Sequence, residues 1–227
     1  MLDFTVIRDN LDYLLWGAYP DGALGGAALT LLLSSAAGIA SALLGLAGGI
    51  ALTLARGRAA LLLRLVLDAL RAIPVLMLIF WMYFLLPIVF GVDAPAIATV
   101  VCALALISGA YLSHTLHAGI VAIGTGQWQA GLSLGLSAWQ TLRLVVLPQA
   151  LRMMVPSFVN QWISLIKDTS LAYIVGVGEL TFLATQVNNR AMVYPTEVFL
   201  FVALLYLLIC GALELAAAGY SRRMRQA

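Results

Sequence analysis

Long uncharged stretches, each long enough to cross a bilayer, dominate the pattern of this chain. Residues 22–55 contain no charged side chain, and further apolar runs cover 72–92, 94–113, 158–187 and 198–220. A transmembrane helix needs about 20 apolar residues, because each residue rises about 1.5 Å through about 30 Å of hydrocarbon. The pattern therefore predicts an all-α integral membrane protein with about five transmembrane helices.

Small residues recur along one face of the first predicted span. Ser34, Gly38, Ala42, Gly45 and Gly49 follow one another at steps of three or four residues, which places them on the same side of a helix. Helices in membranes approach closely where such small residues meet a neighbour. We expect the first span to pack tightly along this face.

Charged residues interrupt the fourth predicted span. Ser164, Asp168, Val175 and Glu179 share one face of a continuous helix, with the two carboxylates about 16 Å apart along its axis. A carboxylate in hydrocarbon is usually paired or faces water. Two interpretations remain open: Asp168 pairs with Lys167 or another base and fixes helix packing, or it approaches a translocation path.

The distribution of arginine predicts the orientation. With five spans the termini lie on opposite sides, and basic residues concentrate on the cytoplasmic side. One side carries Arg56, Arg58, Arg143, Arg152, Arg222, Arg223 and Arg225. The other carries only Arg8 and Arg190. We therefore predict an extracytoplasmic N-terminal segment (1–21), a transmembrane domain (22–220) and a cytoplasmic basic tail (221–227).

Composition removes several functional classes. Hydrophobic residues make up 63% of the chain and the net charge is only +2, which argues against a nucleic-acid-binding protein. Cys102 and Cys210 lie within apolar runs without metal-site spacing, so we interpret them as buried thiols and expect no metal. The phosphate-binding loop of nucleotide hydrolases is missing, since the only lysine, Lys167, follows Ile166 rather than glycine.

A polar segment over residues 124–155 is too hydrophilic for a span. Its pattern predicts a short helix, a break at Gly135, a second short helix and a stop at Leu147-Pro148. Short amphipathic helices of this kind are unstable alone in water. The segment is therefore expected to bind a partner.

This segment resembles the EAA loop of binding-protein-dependent ABC importer permeases. The flanking residues resemble the polar amino-acid branch of that family (histidine, glutamate, glutamine, arginine and opine type). The matching runs are Arg71-Ala72-Ile73-Pro74, Leu147-Pro148-Gln149-Ala150, Val155-Pro156, Asn160-Gln161 and Ile163 to Leu171. The resemblance covers about residues 22–220.

The resemblance implies a type I importer (MetI-like) fold in the bacterial inner membrane, with the loop docking on a cytoplasmic ATPase. The coupling residues would be Gln127, Gln129, Ala130, Gly131, Gly135, Leu147 and Pro148. The implied partners are an ABC ATP-binding subunit dimer, a second permease copy or sister permease, an extracytoplasmic solute-binding protein and membrane lipid. ATP and Mg²⁺ would bind the partner ATPase, with no cofactor and no enzymatic site in this chain.

The chain departs from the family pattern at four positions. Gln129 replaces the usual acidic residue, and Gly131 replaces the second alanine, which we expect to remove a charge and add backbone freedom. His114 and His117 stand where the family commonly has a glutamate and an arginine or histidine. A pair at i, i+3 shares a helical face and would either pack at an interface or bind metal and titrate.

A second group of residues is predicted to line the translocation path or its gate: Arg71, Pro74, Lys167, Asp168, Thr169, Ser170 and Glu179. Arg64, Asp68 and Arg71 share a helical face and predict an ion-pair ladder. Pro74 removes a backbone hydrogen bond within a span and predicts a kink.

Together these features favour the permease subunit of an ABC importer that moves a polar amino acid (glutamate/aspartate, glutamine, histidine or arginine class) by ATP-driven alternating access. An ion-gradient-driven secondary transporter is the alternative, with Asp168 and Glu179 as coupling sites. A membrane assembly subunit without transport is a third class.

Overall fold

Helices account for the architecture, as a computed structural model of residues 4–226 shows, with side chains described for residues 4–219. The α-helices of this part of the chain are α1 (Thr5–Asp9), α2 (Leu11–Trp16), α3 (Gly26–Leu54), α4 (Gly57–Ala72), α5 (Val75–Phe80), α6 (Leu86–Phe90), α7 (Ala96–Ala122), α8 (Thr125–Ser133), α9 (Ala138–Thr141), α10 (Leu147–Asp168), α11 (Leu180–Ala191) and α12 (Pro195–Gln226). The predicted all-α class is confirmed. Met1–Asp3 and the side chains of the predicted basic tail lie outside the described residues.

Four helices of the described chain are long and apolar enough to cross a membrane. They are α3, α7, the continuous helix Ala138–Val175 and the segment Pro195–Gly219 of α12. A fifth span is formed if α4 and Val75–Phe90 are counted together, although they meet at 97°. The predicted number of about five is confirmed.

The pairing of α3 with α7 forms the centre of the molecule. A Cβ atom on Gly45 would overlap Leu112, and one on Gly49 would lie 2.8 Å from the Cβ of Leu116. Van der Waals contact at close approach drives helix association in lipid, where burying apolar surface gains little. The predicted close packing along the small-residue face of α3 is therefore confirmed for its second half.

The N-terminal segment packs on the far end of the chain. Leu14 is fully buried, with Val6 and Ile7, against apolar residues of α11 and α12. The Tyr13 hydroxyl donates a hydrogen bond of 2.6 Å to Oε1 of Gln186, and the Arg190 guanidinium lies 5.5 Å from the Tyr13 ring centre. Residues 5–16 thus share a core with the last two helices.

The structure corrects two predicted span ends. The third span continues to Ala122 as one α-helix, so His114 and His117 belong to α7 rather than to the loop. The predicted second span, 72–92, begins at a sharp elbow. Ile73 and Pro74 adopt extended backbone angles between α4 and α5, because proline disfavours a helical conformation in the residue before it.

The predicted fourth span is broken near its middle. The α-helix ends at Asp168, a tighter 3₁₀ helix covers Thr169–Val175, and Gly176 turns the chain with a φ of 74°. Glu179 then caps a separate helix, α11. The predicted common face of Ser164, Asp168, Val175 and Glu179, and the 16 Å spacing of its carboxylates, is therefore wrong.

Two Leu-Pro sequences lie inside helices, and a π-helical turn precedes each of them. A π-helical turn covers Trp81–Leu85 before Leu86-Pro87, and another covers Leu142–Val146 before Leu147-Pro148. Proline lacks an N–H and its ring clashes with the carbonyl four residues earlier, and the wider i→i+5 turn relieves both problems. The predicted helix stop at Pro148 is wrong, since the helix runs on to Asp168.

The close approach of α3 to α7 predicts a large cost for any side chain at Gly45. Gly45→Ala should destabilise the protein by about 1–3 kcal/mol, because the added methyl overlaps Leu112 and the helices must separate. Thermal unfolding in mild detergent measures this loss. Gly211→Ala is the matched control, because nothing lies within 4 Å of its Cβ position. Equal unfolding temperatures for the two variants would contradict the packing argument.

Candidate functional site

The polar segment forms a compact unit, which we name the loop platform, residues 124–146. It lies against the ends of α3 and α7 that are opposite to the N-terminal helices, and we call this side the loop face. Trp128, Leu142 and Val146 pack with Leu116 and Ile120 of α7 in one buried cluster. The platform is thus attached to α7 and continues directly into α10.

The turn between α8 and α9 depends on Gly135. Its φ of +80° is a left-handed conformation that side chains other than glycine rarely adopt. The next helix starts with a capping box, in which the backbone N–H of Gln140 donates to Ser137 Oγ (3.2 Å) and the Ser137 N–H donates to Gln140 Oε1 (2.8 Å). The predicted break at Gly135 is confirmed.

Gly131 has a different role from the one expected. It lies within α8 and is buried against Thr141 of α9, and a Cβ atom there would lie 2.8 Å from Thr141 Oγ1 and closer still to its methyl group. The glycine therefore allows two helices to touch. The expectation that it adds backbone freedom is wrong, because its backbone is helical and enclosed.

The outward surface of the platform is apolar and amide-bearing. Gln127, Gln129 and Ala130 are exposed on α8, and Gln149 of α10 donates a hydrogen bond of 3.3 Å to Gln127 Oε1. Large exposed side chains follow at the tip: Leu132, Leu134 and Trp139, which are 51%, 82% and 48% exposed. Leu147 and Pro148 are set back from this tip, in the first turn of α10.

A second group of polar side chains lies at the elbow that follows α4. Arg71 Nη1 donates to Asp68 Oδ1 at 3.1 Å, and the Arg71 guanidinium lies 4.8 Å from the ring centre of Tyr111 on α7. The Tyr111 hydroxyl approaches the Arg71 carbonyl at 3.5 Å. Of the predicted ion-pair ladder, the Asp68–Arg71 pair is present. It fixes the side chain of Arg71, which lies three residues before Pro74.

The two histidines of α7 contact two different helices. His114 Nε2 lies 3.2 Å from Asp68 Oδ1 of α4, and His117 Nδ1 lies 3.1 Å from Thr53 Oγ1 of α3. Among the described residues no group of three or more histidine, cysteine or acidic side chains is placed to hold a metal. The geometry therefore favours interfacial packing, with Asp68 receiving both Arg71 and His114.

The segment Lys167–Ser170 marks the change from α10 to the 3₁₀ helix. Lys167 is exposed, Asp168 and Ser170 are half-buried, and Thr169 is buried with its hydroxyl donating to the Ile166 carbonyl at 2.7 Å. The 3₁₀ helix that follows shares a hydrophobic cluster with α5, the helix that begins after Pro74. The predicted path segment, Lys167–Ser170, and the predicted hinge at Pro74 are therefore connected through this shared hydrophobic cluster.

Glu179 is set apart from these residues. It is fully buried, and its two oxygens accept hydrogen bonds from the N–H groups of Thr181 (2.9 Å) and Phe182 (2.8 Å) and from the Tyr206 hydroxyl (3.2 Å). Such an arrangement caps a helix and ties it to α12. In this conformation Glu179 has no open side toward a solute, so we assign it a structural role.

Comparison with known proteins identifies the family. The family model described as binding-protein-dependent transport system inner membrane component matches residues 41–226. The chain belongs to this family. It is a multi-pass membrane component of a binding-protein-dependent transport system, and the alternative of a secondary transporter is set aside.

The curated relatives of this permease are amino-acid transport proteins. The glutamine transport system permease protein GlnP of Escherichia coli K12 is 36% identical over 93% of this chain and 96% of its own length. The probable glutamine ABC transporter permease protein GlnP of Bacillus subtilis is 39% identical over 69% and 72%. The glutamate/aspartate import permease protein GltK of Escherichia coli O6:H1 is 34% identical over 67% and 71%.

Solved structures share the fold. The crystal structure of an amino acid ABC transporter with histidines has a chain that superimposes with a TM-score of 0.85 at 25% identity, covering 98% of this chain and 99% of that one. An inward-facing MetNI methionine ABC transporter structure matches with a TM-score of 0.74 at 22% identity, which supports the MetI-like fold.

Three partners in these sites were not predicted from the sequence. Thr141 meets Gly131 across a turn, Tyr111 stacks on Arg71, and Tyr206 binds Glu179, and each pair joins separate helices. The link between Asp68 and His114 was not predicted because the third span was predicted to end at residue 113. Extending α7 by helical periodicity places His114 on the helix face that carries Tyr111.

The Gly131–Thr141 contact predicts a rescue. Gly131→Ala should destabilise the permease by about 1–3 kcal/mol through overlap with Thr141. Thr141→Ala should be nearly neutral alone, because the buried Thr141 hydroxyl has no hydrogen-bond partner among the described residues, and the double variant should recover most of the loss. Thermal unfolding of the four proteins gives the coupling. Strict additivity would contradict the contact.

The Asp68 cluster predicts local mobility at the elbow. Asp68→Ala should increase amide hydrogen exchange around residues 68–76 about two- to fivefold, because the partly exposed Asp68–Arg71 ion pair contributes about 0.5–1 kcal/mol. Exchange measured by mass spectrometry on permease in detergent tests this. Arg58→Ala, at the exposed start of α4, is the control. Unchanged exchange at the elbow would show that the cluster does not hold α4 to α7.

Proposed function

We propose that this chain is the permease subunit of an ABC importer for a polar amino acid of the glutamine, glutamate/aspartate, histidine or arginine class. The observation that carries the proposal is the loop platform, which exposes large apolar side chains to water while it is packed against α7 and continuous with α10. An apolar surface of this kind marks a protein interface. The names of the relatives support amino acids as the solute.

The proposed function requires several partners. A cytoplasmic ATP-binding subunit dimer binds ATP and Mg²⁺ and docks on the platform, so the chain itself needs no cofactor. Five spans are few for a central path, so a second permease copy or a sister permease completes it. An extracytoplasmic solute-binding protein delivers the amino acid, and lipid surrounds the apolar spans.

Charge supports the orientation of the chain. The loop face carries Arg56, Arg58, Arg143 and Arg152, and basic residues accumulate on the cytoplasmic side of inner-membrane proteins. The N-terminus is then extracytoplasmic and the C-terminus cytoplasmic. This orientation places the platform where ATP is available.

The proposed mechanism is alternating access through a mechanical chain of helices. Closure of the ATPase dimer moves the platform, and the continuous helix Ala138–Val175 carries this movement to the 3₁₀ segment. That segment packs on α5, which begins at the Pro74 elbow. A shift of α5 changes the angle at the Pro74 elbow. This change opens the translocation path on one side of the membrane and closes it on the other.

Within this path Asp168 and Ser170 are the proposed solute-contacting residues, with Lys167 beside them and Thr169 of the predicted path segment buried between them. Asp168 is half-buried at the point where the α-helix ends and the 3₁₀ helix begins. A carboxylate with a neighbouring hydroxyl group suits the ammonium group of an amino acid. Arg71 and Pro74 form the proposed gate.

Reconstitution tests the function directly. Proteoliposomes containing the permease, its ATPase and its binding protein should accumulate glutamine or another polar amino acid only with ATP, and ionophores that remove proton and sodium gradients should leave uptake unchanged. Asp168→Asn should reduce uptake by at least about tenfold, a loss of about 1.4 kcal/mol or more, with normal protein levels. Asp93→Asn is the matched control, because it makes the same change at an exposed residue outside the proposed path. Gradient-dependent uptake would reject the proposal, and unchanged uptake by Asp168→Asn would remove that residue from the path.

A further inference from the structure

The part of the loop platform that contains its apolar tip, residues 124–142, carries no charge. No acidic or basic residue occurs from Ala118 to Leu142, and the first charge beyond it is the exposed Arg143. The tip within this stretch presents Leu132, Leu134 and Trp139 to solvent. Exposed segments of water-facing loops usually carry charge, so this composition points to a partner that covers them.

The backbone of the tip already satisfies its own polar groups. The N–H groups of Leu134, Gly135 and Leu136 donate to carbonyls of α8 at 3.0–3.2 Å, and Ser137 and Gln140 cap the next helix reciprocally. At this turn a partner therefore contacts backbone N–H groups that already have acceptors within the platform. What remains for recognition is the apolar tip and the amide side chains of Gln127 and Gln129.

Gln129 lies at the centre of this uncharged surface. It is exposed in the middle of α8, one turn before the apolar tip. A carboxylate at this position would require a basic group or water opposite it. An amide needs no counter-ion, and burying an unpaired charge against it would be costly.

We propose that the partner ATPase receives the platform in an uncharged, mainly apolar groove with no basic group opposite Gln129, and that this absence of charge determines which ATPase subunit the permease accepts. The inference rests on the proposed function, since it assumes that an ATPase docks here. It adds the chemistry of the docking surface and a residue that selects the partner.

Two consequences distinguish this groove from one built on ion pairs. The contribution of position 129 to association should depend weakly on salt, because the Gln129 amide forms no charge pair that salt could screen. A charge of either sign at position 129 should weaken binding, because an uncharged groove cannot pair it, whereas an apolar replacement should be accepted.

The test uses the ATPase subunit that co-purifies with the tagged wild-type permease in mild detergent. Its affinity is measured for wild type, Gln129→Glu, Gln129→Lys and Gln129→Leu at about 50 and about 500 mM NaCl, which spans most of the range of ionic screening. We expect wild type and Gln129→Leu to agree within about threefold at both salt concentrations and both charged variants to bind at least about tenfold more weakly, as expected for an unpaired charge in an apolar interface.

Asn189→Glu is the matched control, because it adds the same charge to an exposed residue of α11 on the opposite side of the molecule. It should bind like wild type. Tighter binding by Gln129→Glu or Gln129→Lys, no effect of either charge, a loss by Gln129→Leu, or a ratio of wild-type to Gln129→Leu affinity that changes more than about tenfold with salt would overturn the inference. Absence of any co-purifying ATPase would instead reject the proposed function.

Discussion

Every backbone N–H and C=O in the hydrocarbon layer must find a partner within the protein, because leaving one unpaired there costs several kcal/mol. The irregular points of this fold are solutions to that requirement. The π turns at Trp81–Leu85 and Leu142–Val146 let a helix continue through a Leu-Pro step. Where a helix must restart, the buried carboxylate of Glu179 accepts the free N–H groups of α11. The two π turns and the Glu179 cap therefore each compensate for backbone groups that a proline or a helix break would leave unpaired.

The same requirement explains how a force on the loop face reaches the middle of the membrane. The helix from Ala138 to Val175 is continuous and therefore suited to transmit a movement along its length, whereas a true stop at Pro148 would have left a flexible joint. Its far end tightens into the 3₁₀ segment that touches α5. At the Pro74 elbow, α4 and the segment Val75–Phe90 meet at 97°. A movement of the long helix that reaches α5 would change direction at this elbow.

Features set by local chemistry were predictable from the sequence, and those set by contacts between distant helices were not. The apolar runs fixed the number of spans, and Gly135 fixed a turn, because length and backbone freedom are properties of single segments. The role of Gly131 was predicted wrongly, because it depends on the contact with Thr141, which lies on a different helix. The break after Asp168 was missed because apolar composition continues through it, and hydropathy does not distinguish an α-helix from a 3₁₀ helix.

The contact between Tyr13 and Gln186 joins residues 173 positions apart. Ribosomes add about 5–20 residues per second, so α2 is made roughly 10–30 s before its partner on α11 exists. During that time the apolar side chain of Leu14 has no α11–α12 surface to cover it. Helices α1 and α2 therefore reach their final position only after α11 and α12 have been made.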